Sequence, residues 1–225
     1  MASIRSVFVG QPKLLTDVRG NWTSSIARDV VQGPVEVTLR GLAGDRVTQP
    51  FHGSLDAAIC CQPADHYSFW REAYGVQLED GAVGENFTLE GVTDSEVCAG
   101  DLVRVGTALL QVSGPRAPCA NLARHIGRSD WVKLTTQENR SGFYTRVIEP
   151  GVVTAGDHWE LEQRPNPSAS ITAINRCYFL QFDGDFARST AHMPGLASWW
   201  REKLLDKLQE TARTGEQLLL GLPND

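Results

Sequence analysis

A proline-rich segment at residues 113–119, with the sequence SGPRAPC, carries a cysteine in a setting suited to chemistry. It follows the apolar run 108–112, which is typical of a β-strand. The two prolines stiffen the backbone, so the chain should leave the strand at a fixed angle and present Cys119 at a defined point. Arg116 lies just before Cys119, and a nearby cation favours the thiolate, which is a nucleophile and a soft metal ligand. Alternatively, the segment is a turn whose cysteine is a small buried hydrophobe.

Two further polar segments, 41–53 and 84–86, lie at turns between predicted β elements, where a barrel collects its functional loops. His52 and Cys119 could form a Cys–His nucleophilic pair. The histidine would then be oriented by one of three acids, Asp45, Asp56 or Glu85. Alternatively, His52 is a hydrogen-bonded turn residue, and 84–86 is a tight turn that places an asparagine in a left-handed conformation.

Length and composition limit the classes of protein. The chain has 225 residues, 41% of them hydrophobic, which suits one domain of moderate size with a small appendage. A net charge of −6 argues against broad nucleic-acid binding. No apolar run approaches the roughly 20 residues of a membrane span, and the N-terminus lacks a signal-peptide apolar region. The five cysteines are scattered, which argues against structural zinc and a disulfide framework. We therefore predict a cytoplasmic protein with no membrane or nucleic-acid partner.

Hydrophobic patterns predict a β-rich first part. Strands are predicted at 3–9, 35–39, 57–61, 87–89, 101–105, 108–112, 143–148 and 158–161. The spacing of Tyr67, Trp70 and Tyr74 predicts an amphipathic helix over 65–74 that stops at Gly75. Residues 124–133 are ambiguous.

The pattern changes at residues 164–168, where two prolines in a polar stretch indicate a boundary. Beyond it the period becomes helical, with a short helix predicted at 183–191. One helical face holds Ile171, Ile174 and Tyr178, and another holds Leu196, Trp199, Trp200, Leu204 and Leu208. We predict an α+β fold with a mainly-β body at 1–164 and a three-helix domain at 165–225. The second apolar face must pack on the body or on another copy of the chain, and we expect a homodimer.

These segments together resemble the MOSC family, named after the C-terminal domain of molybdenum-cofactor sulfurases. The matching positions are 41–45, 52–53, 84–86, 100–101, 111–112, 115–116, 118–119, 142–144, 146–147, 151 and 156–157. The specific part is the combination of PRAPC with the upstream GEN. The helical tail is similar to that of the bacterial branch typified by resistance to 6-hydroxylaminopurine.

The resemblance implies a β-barrel that binds a molybdopterin cofactor, with Cys119 as the protein ligand to molybdenum. It implies reduction of N-hydroxylated compounds, such as hydroxylaminopurines, hydroxylamines and amidoximes, to amines or amidines. The candidate cofactor-binding residues are Arg28, Arg46, Asn86, Arg116 and Arg146, because arginine suits phosphate contact. His52 is the candidate proton donor. No flavin or iron–sulfur motif is evident, so a separate reductase is expected to supply electrons.

The chain departs from the family pattern at two places. Residues 54–57, SLDA, replace a stretch that commonly contains a basic residue, and Arg28 replaces a common lysine. We expect these departures to affect proton delivery and substrate choice rather than cofactor binding. Two other functions remain open: a non-catalytic carrier of the cofactor or of sulfur, and a metal-free Cys–His transferase.

Overall fold

The structure is a computed structural model that describes residues 1–48 and 53–220, with side chains described up to residue 214. The strands are β1 (Ser3–Val9), β2 (Lys13–Asp17), β3 (Gly20–Ser24), β4 (Asp29–Val30), β5 (Val35–Thr38), β6 (Gly41–Leu42), β7 (Ile59–Pro63), β8 (Phe87–Glu90), β9 (Leu102–Val105), β10 (Ala108–Pro115), β11 (Phe143–Glu149), β12 (Gly151–Val153) and β13 (Trp159–Gln163). The helices are α1 (Asp65–Tyr74), α2 (Ala120–Ile126), α3 (Trp131–Gln137), α4 (Ile171–Asn175), α5 (Gly184–Ala191) and α6 (Ser198–Leu220). A 3₁₀ turn at Leu55–Ala57 precedes β7, and a π-helical turn at Arg176–Leu180 follows α4.

The body is an eight-stranded sheet that curls toward closure. Its strand order is β13-β9-β10-β11-β7-β8-β1-β4, and its neighbours are antiparallel except for the parallel pair β7–β8. Ser3 bridges to His158, and the amide of Ile4 donates to the carbonyl oxygen of Asp157 (2.9 Å). Because these bonds join β1, the strand next to one edge of the sheet, to the start of β13 at the other edge, the α+β class with a barrel-like body is confirmed.

The strands form where the sequence is apolar on the face that packs inside the curl. Ile59, Phe87, Leu110 and Phe143 are fully buried there. β10 is buried along nearly its whole length, because one of its faces lies in this core and the helical tail covers the other. This double burial explains why β10 is a continuous apolar run rather than an alternating one.

The helical tail packs directly on the strand that leads to Cys119. The indole nitrogen of Trp200 donates to the carbonyl oxygen of Pro115 (2.8 Å). The amide of Ala197 donates to the carbonyl oxygen of Ser113 (2.8 Å). Trp200 and Leu204 are fully buried within the single chain. This apolar face is thus covered at Leu196, Trp200 and Leu204 without a second copy, whereas Trp199 and Leu208 are only partly buried. The homodimer stays a prediction.

Most element predictions agree with the structure. The strand at 3–9 and the helix at 65–74 are confirmed, and the helix ends at Gly75 in a left-handed conformation. The ambiguous stretch 124–133 contains the end of α2 and the start of α3. The hairpin β2–β3 was not predicted, because its short strands lie largely exposed and lack an apolar face. None of the helices in the described residues is both long and apolar enough to span a bilayer.

Gly114 allows the close approach between β10 and the tail, and it offers a test of that packing. Its φ is +141°, and a Cβ atom would lie 2.7 Å from Cδ1 of Trp200. We expect Gly114→Ala to lower the free energy of unfolding by roughly 2–4 kcal/mol, through backbone strain and overpacking. Gly156→Ala is the control, because Gly156 also has a positive φ, but a Cβ atom added there meets no atom of the described residues within 4 Å. Urea unfolding of the two variants gives the comparison. Equal losses in the two variants would contradict tight packing of the tail on β10.

Candidate active site

An open pocket collects residues from several separate stretches of the chain. Its cavity volume is about 110 Å³. The described lining residues come from 24–28, 40–48, 53–60, 84–86, 116–121 and position 144, and they include Cys119, Arg116, Arg28 and Asn86. Four of the residues selected from the sequence as metal or cofactor ligands are therefore brought together around one cavity.

Cys119 lies in the short segment that connects β10 to α2. Arg116 fixes the segment against β11 through a bond from its backbone amide to the carbonyl oxygen of Gly142 (3.0 Å). Cys119 is the N-cap residue of α2 and is half-buried, whereas the other four cysteines are buried. Cys60 also lines the pocket, but burial raises the pKa of its thiol despite the opposing effect of Arg116. Exposure therefore favours Cys119 over Cys60 as the reactive or metal-binding thiol.

Arg116 is a buried cation at the inner wall of the pocket. Its side chain is only 6% exposed, and Nη2 donates to the carbonyl oxygen of Val83 (2.6 Å). Nη1 has no hydrogen-bond partner among the described residues. A buried guanidinium with an unused donor is costly unless it is offset by a ligand or a water molecule.

Arg28, Asp45 and Asn86 form a buried brace between three distant segments. Arg28 forms an ion pair with Asp45, and its Nε donates to the carbonyl oxygen of Gly84 (2.9 Å). Asn86 donates from Nδ2 to Asp45 (3.0 Å), and its Oδ1 accepts from the amide of Cys60 (3.0 Å). Because these bonds occupy most of the polar atoms of Arg28 and Asn86, both residues shape the wall of the pocket as well as lining it.

The remaining selected residues lie elsewhere. Arg46, the residue after Asp45, is exposed and does not line the pocket. Arg146 also lies outside the lining, where its Nε faces Asp56 (3.0 Å) and its Nη1 donates to Gln111 (3.1 Å). His52 lies outside the described residues.

The acids proposed to orient His52 have other bonded partners in the described structure. Asp45 belongs to the brace with Arg28, and Asp56 accepts from the amide of Ser198 (3.3 Å) in addition to facing Arg146. Glu85 is fully buried and accepts from the amide of Gly81 (2.7 Å). It also accepts from the hydroxyl groups of Tyr67 and Thr88.

The polar pocket residues that the sequence reasoning missed include Ser25, Arg40 and Asn121. Ser25 is 5% exposed, and its hydroxyl has no partner among the described residues. Arg40 is exposed at the mouth of the pocket, with no ion pair to a described carboxylate. Serine and asparagine are too common in loops to be selected by type alone, so only the unused hydroxyl in a cavity distinguishes Ser25.

Comparison with known proteins places the chain in a family. A family model described as the MOSC domain matches residues 48–160. The protein YiiM of Escherichia coli (strain K12) is 34% identical over 199 residues, which cover 84% of this chain and 89% of YiiM. The chain belongs to the MOSC-domain family. The crystal structure of YiiM from Geobacillus stearothermophilus, at 36% identity, matches 92% of this chain and 100% of that structure with a TM-score of 0.79.

A protein of Gibberella moniliformis (strain M3125 / FGSC 7600) that is named a reductase is also similar to this MOSC chain. The two are 33% identical over 161 residues, which cover 70% of this chain and 29% of the fungal protein. The family match associates the chain with the molybdenum cofactor.

The donor set of the MOSC pocket fits the cofactor implied by the family. A half-buried thiol at Cys119 is a soft metal ligand, and the buried guanidinium of Arg116 supplies a positive charge. Ser25 carries a hydroxyl that is unused among the described residues and that a polar ligand could engage. The cavity is smaller than the about 300–1,000 Å³ typical of small-molecule sites.

Two neighbouring serines give a matched test of ligand contact in the pocket. The Ser24 hydroxyl accepts from the amide of Ile26 (3.2 Å), whereas the Ser25 hydroxyl is unpartnered. Because removing an unpartnered buried hydroxyl is nearly free, we expect Ser25→Ala to keep or raise the Tm of the cofactor-free protein but to lower cofactor retention. Ser24→Ala should instead lose about 1 kcal/mol of stability. Thermal unfolding and molybdenum content measure both effects, and a large Tm loss in Ser25→Ala contradicts the assignment.

A buried histidine lies behind the wall that holds Arg116. Nδ1 of His66 is 2.7 Å from Nε2 of Gln62, and Nε2 of His66 is 3.7 Å from Asp94. Burial lowers the pKa of His66 to about 4, although Asp94 opposes the shift. His66 is therefore neutral near pH 7.

This histidine predicts an acid-sensitive stability. The pKa of the folded state lies below the ordinary 6.5, so the unfolded chain takes up the proton first as the pH falls. The free energy of unfolding should therefore decrease from about pH 6.5 to about pH 4, and His66 should contribute about 2 kcal/mol of the loss at pH 5. Urea unfolding at pH 7 and pH 5 should show a smaller loss in His66→Gln than in the wild type. The same loss in both proteins would assign the acid sensitivity to other groups.

Proposed function

We propose that this chain is a molybdenum-cofactor-dependent reductase of N-hydroxylated compounds, which converts hydroxylaminopurines, hydroxylamines or amidoximes to amines or amidines. The observation that carries the proposal is the half-buried Cys119 thiol at a pocket that also holds the buried cation Arg116. The loop that carries Cys119 is fixed by the backbone hydrogen bond from Arg116 to Gly142. The similarity to a fungal protein named a reductase supports the same reaction class.

The residues of the pocket would each bind a different part of the cofactor or hold the wall of the pocket. Cys119 would bind molybdenum, while Arg116 and Arg28 would face the anionic groups of the cofactor and Asn86 would hold the wall. When bound, the cofactor supplies the two-electron chemistry, and the protein supplies ligation, orientation and electrostatics. Arg46 and Arg146 remain proposed cofactor ligands, although they lie outside the lining of the described pocket.

The reaction needs protons and electrons from outside the substrate. Converting an N–OH group to N–H and water consumes two electrons and two protons. We assign proton donation to His52, because its ordinary pKa lies near neutrality. The electrons would come from a separate reductase, and the protein would act in the cytoplasm as a homodimer.

Metal content and turnover, measured on protein made in a cofactor-competent host, test the proposal. We expect about one molybdenum per chain and reduction of benzamidoxime by a chemical electron donor. Bound molybdenum without turnover of any N-hydroxylated substrate would instead support a carrier. Absence of molybdenum, together with an acyl-transfer activity lost on alkylation of Cys119, would support a metal-free transferase.

A further inference from the structure

A second, smaller cavity lies behind the wall that carries Arg116. Its volume is about 10 Å³. Gln62 lines it from β7, Arg116 from the loop before α2, and Trp131 and Thr135 from α3. The cavity therefore lies where the Cys119 loop, the barrel wall and a helix meet.

Three of the residues that line this cavity each carry one buried polar atom with no hydrogen-bond partner in the described part of the chain. The atoms are Oε1 of Gln62, Nη1 of Arg116 and Nε1 of Trp131. One is an acceptor and two are donors. Leaving three such groups unsatisfied would be costly, and native proteins rarely tolerate it at a single place.

We propose that this cavity is a binding site for one water molecule, held by Gln62, Arg116 and Trp131. The volume is close to that of one water-sized probe, and a buried water needs two to four polar partners. The water accepts from Arg116 Nη1 and Trp131 Nε1 and donates to Gln62 Oε1. Its second hydrogen is available to the hydroxyl oxygen of Thr135, which donates to the carbonyl oxygen of Trp131 (2.9 Å) and can still accept.

This water makes Gln62 a positioning residue for Arg116. The amide of Gln62 is fixed from its other end by Nδ1 of His66 (2.7 Å), so its oxygen has a defined orientation. The guanidinium is then held by the Val83 carbonyl on one side and by the water on the other. The inference concerns how the loop of Cys119 is held, and it does not depend on the reaction that the pocket performs.

Water–protein NMR tests the site on the unmodified chain. We expect a negative cross-relaxation peak between the indole proton of Trp131 and the water resonance, as a water of long residence time gives. The indole of Trp200 is the internal control, because it donates to the Pro115 carbonyl (2.8 Å) and should show no such peak. Absence of the Trp131 peak, with its indole proton resolved and slowly exchanging, would overturn the proposal.

A pair of variants tests the positioning role. In Gln62→Met the acceptor is lost, so we expect loss of the Trp131–water peak and at least tenfold faster exchange of the Arg116 amide proton. In Gln62→Glu an acceptor for the water remains, so the Trp131–water peak should return toward the wild type, although the donor to His66 is lost. Amides of the hairpin β2–β3 should be unchanged in both variants. Unchanged Arg116 exchange in Gln62→Met would refute the positioning role even if the water is present.

Discussion

Replacing Cys119 by serine should lower the proposed reductase activity by at least about 100-fold, while the fold and its Tm are kept. Serine has a similar size, but its hydroxyl is a harder and less acidic ligand than a thiol. Even residues that only support a metal ligand cost about 10–100-fold when they are changed, and removal of the ligand should cost at least as much. Molybdenum content and turnover of benzamidoxime, measured on the same samples, give the result.

Cys60→Ser is the matched control, because Cys60 lines the same pocket but is buried. Its effect on turnover should be small, and the same holds for Cys61, Cys98 and Cys177, which are buried too. Full activity in Cys119→Ser would remove the assignment of Cys119 as the metal ligand.

His52→Gln should keep the cofactor and slow turnover by about 10²–10⁴-fold, which is the usual scale of general acid–base catalysis. His52 was selected from the sequence, because it is the residue of the polar segments that ordinarily titrates near neutrality. A donor must be protonated to act, so the wild-type rate should fall as the pH rises through the histidine range. That fall should be absent in the variant.

The outcome for His52 separates three roles. Loss of molybdenum in His52→Gln would make the residue a structural or cofactor-binding one. Retention of both metal and rate would show that the proton comes from water or from an acid such as Asp56. His192→Gln is a suitable control, because His192 is exposed on the helical tail and outside the pocket.

The sequence was sufficient to predict most of the longer elements and the loop that carries Cys119. Residues 108–119 contain a strand signal, two prolines and a cysteine, and all of these are local features. The same is true of α1, where aromatic spacing and a terminal glycine determine the helix. Such patterns depend on backbone preferences that hold wherever the segment lies in the fold.

The partners of the site residues could not be predicted in the same way. Arg28, Asp45 and Asn86 were each selected from the sequence, but their mutual brace depends on contacts between distant segments. Trp200 was expected to be buried, yet nothing in the helical period indicates that its indole bonds the carbonyl of Pro115. Ser25 becomes notable only once its burial and its unpartnered hydroxyl are known.

The bonds that close the molecule also set when the pocket can form during synthesis. β1 can pair with the segment before β13 only after His158 has left the ribosome. The loop of Cys119 can receive the hydrogen bond of Trp200 to Pro115 only after Trp200 has emerged as well. Chains emerge from the N-terminus, and contacts between distant residues form slowly. A ligand that requires the finished pocket therefore binds only after Trp200 has emerged and packed on β10, rather than to a nascent barrel.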